Sequence, residues 1–148
     1  MISAQALSLI KDFEGLRLTS YKCPAGVFTI GYGSTGRDVV EGSAWTEADA
    51  TRRLIIDCAY YENAILSKLT VPVESYELDA MVCLAYNVGF GNFRNSTLLK
   101  KVNLKELKLA AAEFLRWNKV KGKVLKGLDL RRRAEQLLFM TGKYTSKT

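Results

Sequence analysis

The sequence predicts a mainly helical α+β fold with one small β-hairpin near its N-terminus. Three observations lead there. Apolar residues recur at helical spacing along most of the 148 residues. One early stretch, "RLTSYKCPAGVFTIG" at 17–31, instead alternates on either side of a proline–glycine turn. The length suits a single domain: a hairpin lobe over about 14–45, a connecting helix over about 46–68, and a larger helical lobe of about 69–148 with 1–13.

Each element has its own signal. A first helix is expected over 3–13, where Ala6, Leu9, Ile10 and Phe13 share a face and Ser3 can cap the start. Leu16 and Leu18 then alternate with Arg17 and Thr19, as in a strand. Cys23-Pro24-Ala25-Gly26 fits a type I turn, with proline second and glycine fourth. "VFTIGYG" returns as the partner strand, with Phe28, Ile30 and Tyr32 on one face and Val27, Thr29 and Gly31 on the other. Thr46 with Asp49 opens the long helix, and Leu54, Ile55, Cys58, Ala59 and Ile65 form its apolar stripe. Val71-Pro72-Val73 breaks it. A helix over 74–88 follows, then the interruption "VGFGN" and a short helix near 96–101. Asn103 with Glu106 is expected to cap a helix over 104–117, and the last helix, 129–141, stops at Gly142.

Composition narrows the function. With 48% hydrophobic and 25% charged residues the chain is globular. No apolar run approaches the roughly 18 residues that span a bilayer, so stable membrane insertion is not expected. The start lacks the basic region and cleavage site of a signal peptide. A net charge of +7 and a pI near 9.4 favour anionic partners. The charge gathers in "KVKGKVLKG", in "LRRR" at 130–133 and in the tail "GKYTSKT". Solvated faces explain such runs as readily as binding does, and no nucleic-acid motif accompanies them. There is no histidine and no CxxC, which argues against zinc sites and histidine triads; no cofactor or metal is expected. Three cysteines cannot form a complete disulfide framework, and Cys58 and Cys83 fall in apolar stripes that read as core.

The residues that could do chemistry cluster around the hairpin. Glu14 sits where helix gives way to strand, beside Phe13. A carboxyl in apolar surroundings holds its proton to higher pH, which a general acid needs. The turn and second strand can fold back to face it, bringing up the Cys23 thiol and the Thr29 hydroxyl. Gly26, Gly31 and Gly33 leave room for a ligand against the backbone. Each residue also has a plain reading: a solvated glutamate, an incidental turn cysteine, an ordinary strand threonine. Trp45 and Trp117 read as packing residues or as sugar-stacking rings.

"FEGLRLTSYKCPAGVFTIGYGSTG" resembles the catalytic hairpin of phage-type lysozymes, the endolysins of glycoside hydrolase family 24. "CLAYNVGFGNFRNSTLL" at 83–99, "AAAEFLRWNKVKGK" at 110–123 and "GLDLRRRAEQLLF" at 127–139 resemble later segments of the same family in the same order. The resemblance implies a lysozyme-like fold and hydrolysis of the β-1,4 bond between N-acetylmuramic acid and N-acetylglucosamine in bacterial peptidoglycan. It places the family's glutamate on Glu14 and its threonine on Thr29. The family's usual aspartate falls on Cys23, as in a subset of phage lysozymes with a similar "CPAG" turn. The histidine that often follows the strand is replaced by Ser34.

The resemblance further implies an inverting mechanism, with Glu14 as acid and Cys23 and Thr29 holding the attacking water. Lys22 could favour the thiolate. Tyr21, Gly31, Asn87, Gly91, Phe93 and Ser96 are expected to line the groove, and Arg131 or Arg132 to pair with Glu14. It also implies a monomer that accumulates in the host cytoplasm and reaches the periplasmic wall through a holin pore. A wall-binding homologue without catalysis and a lytic transglycosylase are the alternatives.

Overall fold

The structure, a computed structural model, describes residues 1–146; the last two residues of the basic tail lie outside the described residues. In chain order it runs α1 (Ala4–Glu14), β1 (Arg17–Lys22), β2 (Phe28–Gly31), α2 (Glu47–Leu66), α3 (Ser75–Val88), α4 (Phe90–Arg94), α5 (Thr97–Asn103), α6 (Leu107–Glu113), a 3-10 turn (Phe114–Trp117), β3 (Lys119–Val120), β4 (Lys123–Val124) and α7 (Lys126–Thr141).

Local chemistry sets the boundaries. Ser3 Oγ accepts the Ala6 N–H at 3.2 Å and starts α1, and Gly15, at φ +74°, ends it. Gly26 N donates to Cys23 O at 2.8 Å and closes the expected turn. β1 then returns antiparallel as β2, with Arg17 opposite Gly31 and Tyr21 opposite Thr29. The strand stops earlier than expected, because Gly31 takes φ +68° and Ile30 pairs its backbone with Ser34. The predicted alternation through Tyr32 fails for that reason. Thr46 Oγ1 accepts from Asp49 N at 3.1 Å while the Asp49 carboxylate accepts from Thr46 N at 3.0 Å, a complete capping box for α2. The 20 residues of α2 span about 30 Å at ~1.5 Å per residue, enough to run from the hairpin to the helical lobe.

Two boundaries differ from expectation further on. Asn103 does not cap the next helix. Its side chain accepts from Thr70 N at 2.8 Å and donates to Lys68 O at 3.0 Å, tying α5 to the turn after α2. The helix begins instead after Glu106 and tightens to a 3-10 turn at Phe114. The last helix starts three residues early, and a second hairpin, β3–β4, precedes it.

α3 lies at the centre. Leu78, Ala80, Met81, Val82, Cys83, Leu84 and Ala85 are all buried, so the helix is covered on every side by α1, α2 and α7. Cys58 and Cys83 are core residues, as their stripes predicted, and all three cysteines are free. No helix among the described residues is long and apolar enough to cross a membrane.

Candidate active site

Glu14 is the last residue of α1, and the turn at Gly15 leaves its side chain 20% exposed in the wall of a groove of about 420 Å³. Asn87 from the end of α3 and Leu125, Gly127, Leu128 and Arg131 around the start of α7 complete that groove. Arg131, not Arg132, meets the glutamate: its Nη1 donates to Glu14 Oε2 at 2.6 Å. Arg131 Nε also donates to Glu135 Oε2 at 3.1 Å, and its side chain is only 4% exposed. Burial opposes its charge, but Glu135 and Glu14 outweigh burial and hold its pKa above the ordinary arginine value.

Arg132 turns away, donating to Asn87 Oδ1 at 2.8 Å and to the Trp117 carbonyl at 3.3 Å. Its Nη2 donates to Glu135 Oε2 at 3.3 Å, and its Nε stands 2.8 Å from Glu135 Oε1. Two arginines and two glutamates thus neutralise one another behind the groove.

The strand exit forms the other wall of Glu14. A Cβ on Gly33 would stand 3.0 Å from Glu14 Oε1, and Gly33 has φ +91°, so both space and backbone call for glycine there. The segment is pinned on both sides. Tyr86 Oη donates to the Tyr32 carbonyl at 2.5 Å, and the buried Ser34 Oγ donates to Asp57 Oδ2 at 2.7 Å. Arg53 of α2 binds Asp57 at 3.1 Å and Asp38 at 2.6 Å and reaches the Thr35 carbonyl. The sequence reading missed Asp57 and Tyr86. The one signal for Asp57 was an acid between apolar neighbours on α2.

Cys23 sits in the hairpin turn, partly exposed. Backbone N–H groups of Val27 and then Ala25, with a smaller contribution from the Thr29 hydroxyl, favour its thiolate and lower its pKa from 9.0. The buried Thr29 has one hydroxyl proton and two acceptors, the Val27 carbonyl at 3.1 Å and the Cys23 sulfur. Lys22 places its ammonium over the Phe28 ring, 5.5 Å from the centroid. The fold therefore joins Cys23 to Thr29 and Glu14 to Arg131, with the segment from Ile30 to Gly33 linking the two pairs.

The remaining predicted residues divide. Asn87 lines the groove. Tyr21 lies opposite Thr29, its ring 4.4 Å from the Arg17 guanidinium. Gly91 is exposed on α4. Gly31 serves packing: a Cβ there would meet the Trp45 ring at 3.1 Å and Ala50 at 3.3 Å. Phe93 and Ser96 are corrected. Phe93 is fully buried in the helical core, and Ser96, 5% exposed, spends its hydroxyl on the Leu99 N–H at 3.1 Å to cap α5. Neither offers a surface to a ligand.

Residues 11–135 match the family model described as phage lysozyme. The chain is 45% identical over 143 residues to an endolysin of Bacillus phage PZA, covering 95% of this chain but 55% of that protein, so it spans about half the length of that relative. It is 42% identical to an endolysin of Acyrthosiphon pisum secondary endosymbiont phage 1, covering 93% of this chain and 97% of the other. The muramidase domain of SpmX from Asticaccaulis excentricus superposes with a TM-score of 0.88 at 34% identity, covering 95% and 98% of the two chains. The glutamate at the helix end, the glycine-walled strand exit and these matches lead to one conclusion: the chain belongs to the phage lysozyme family.

Proposed function

We propose that this chain hydrolyses the β-1,4 bond between N-acetylmuramic acid and N-acetylglucosamine in bacterial peptidoglycan, as an endolysin that lyses its host. The observation that supports it most is Glu14, a groove-wall carboxyl held by Arg131 in a chain of this family. As the general acid, Glu14 protonates the leaving glycosidic oxygen. Across the sugar, the Cys23 thiolate and the Thr29 oxygen hold a water. That water attacks the anomeric carbon as the C–O bond breaks, and its proton passes to the Cys23 sulfur. The product has inverted configuration and a new reducing end.

The lowered pKa of Cys23 supports this role, because an ordinary thiol near ~8.5 would be only a few per cent thiolate at neutral pH. The same reading places the protein in the host cytoplasm before lysis, with release through a holin pore, and at the wall afterwards.

The test is turbidity loss of purified peptidoglycan with product analysis. Glu14→Gln should lower the rate roughly 10² to 10⁴-fold. Reducing ends, not anhydro sugars, should appear. Unchanged activity in Glu14→Gln would sink the mechanism, and anhydro sugars would make the protein a lytic transglycosylase.

A further inference from the structure

The most basic stretch of the sequence, "KVKGKVLKG" at 119–127, folds into the second hairpin. Lys119 pairs with Val124 and Val120 with Lys123, around the two-residue turn Lys121-Gly122. Both turn residues are left-handed, at φ +50° and +81°, as a tight hairpin turn requires. Glycine takes that conformation freely, whereas lysine is disfavoured there. A strained lysine kept at an exposed tip points to a use for its charge.

Lys119, Lys121, Lys123 and Lys126 are all exposed, and the stretch holds no carboxylate. Among the described residues none of the four forms an ion pair. The hairpin's base is clamped. Leu125 N donates to Asn118 O at 3.0 Å, and Asn118 Nδ2 donates to Asp129 Oδ1 at 3.1 Å. The charge therefore sits on a fixed arm rather than a loose tail. The arm also runs directly into the groove, because Leu125, Gly127 and Leu128 line it together with Glu14.

We propose that the β3–β4 hairpin is a docking arm for the free carboxylates of peptidoglycan stem peptides while the glycan occupies the Glu14 groove. The inference rests on the wall-hydrolase reading above. Stem peptides hang from muramic acid, so the anions beside a glycan in that groove are stem carboxylates. A lysine ammonium is a compact charge on a flexible stem, suited to carboxylates whose positions vary along a strand. Val120, Val124 and Leu125, at 47%, 56% and 45% exposure, add apolar surface between the lysines for the alanine methyls of the stems.

The experiment is co-sedimentation with peptidoglycan sacculi freed of phosphate polymers. It uses the Glu14→Gln protein so that the sacculi stay intact. Adding Lys121→Gln and Lys123→Gln should weaken binding about three- to tenfold at low salt, and added salt should shrink the difference. Amidating the stem carboxylates should lower binding of the parent and abolish the difference. Lys121→Arg with Lys123→Arg should bind as the parent does, which separates charge from hairpin conformation. Equal binding of the glutamine pair and the parent on native sacculi would overturn the proposal. So would a loss that persists on amidated sacculi. Reducing-end release by the chain with Glu14 intact is measured in parallel. Lysine-dependent binding without any release would overturn the hydrolase reading and leave the arm standing.

Discussion

Arg131 Nη1 and Glu14 Oε2 meet at 2.6 Å across 117 positions of sequence. The contact fastens the end of the first helix to the last helix, behind the groove that both help to line. Arg131 is nearly buried and serves Glu14 and Glu135 together. Arg131→Met would leave Glu14 without a cation and Glu135 with Arg132 alone. Stability should fall by about 3 kcal/mol, read from urea denaturation. Arg131→Lys should fall between, since an ammonium cannot reach both carboxylates with the guanidinium's fork.

Cys23 should titrate early. Its alkylation rate should reach half-maximum below pH 9.0, and Thr29→Val should move that midpoint upward by removing a donor to the thiolate. Cys58, pushed up to about 12 by burial, and the fully buried Cys83 should stay unreactive until the protein unfolds. Cys23→Ser should lower peptidoglycan hydrolysis by roughly 10²-fold. A serine variant with full activity would leave Thr29 to hold the water without the thiol.

Gly33→Ala combines two penalties. The backbone sits at φ +91°, and the new methyl would lie 3.0 Å from Glu14 Oε1. Gly26→Ala carries only the first, at φ +80° with nothing within 4 Å. Gly26→Ala should lose about 1–2 kcal/mol of stability and Gly33→Ala more than that. Hydrolysis at saturating substrate should drop in Gly33→Ala and hold in Gly26→Ala. Equal rates in the two variants would show that Gly33 does not position the acid.

Asp79 supplies a pH dependence of known sign. Its carboxyl is 5% exposed and accepts the Ser3 N–H at 3.3 Å. Burial raises its pKa above 3.8, outweighing the Ser3 bonds that lower it. The native state therefore holds this proton more tightly than the unfolded chain does. The stabilisation is fully present below pH 3.8 and is lost as pH rises through the raised native value. Asp79→Asn removes the effect. Wild type should thus lose stability relative to Asp79→Asn between pH 3 and pH 7, measured as the urea midpoint of each; a relative gain would contradict the assignment.

Whatever depends on near neighbours was legible in the order of the residues. A capping box needs only Thr46 and Asp49 and a type I turn only Cys23 through Gly26, so these appear where the pattern puts them. The expected stripe of α2 holds only in part: Leu54, Cys58 and Ile65 are buried, but Ile55 is half-buried and Ala59 is exposed, because the helix is covered along a narrower face than its apolar residues span. The resemblance of ordered segments likewise indicated the family before any contact was known. Tertiary structure decided everything that depends on which way a side chain turns. Arg131 and Arg132 are adjacent and basic, yet about 100° apart around α7, and only the packing of α7 on α3 sends one to Glu14 and the other to Asn87. Phe93 and Asn87 lie in one glycine-rich stretch, but burial took the first into the core and left the second in the groove. Asn103 looked like a cap and became a tether, because its partners at 68 and 70 are distant in sequence. Local hydrogen bonding is written in a few consecutive residues. The direction of a side chain within the fold is set by every element packed around it.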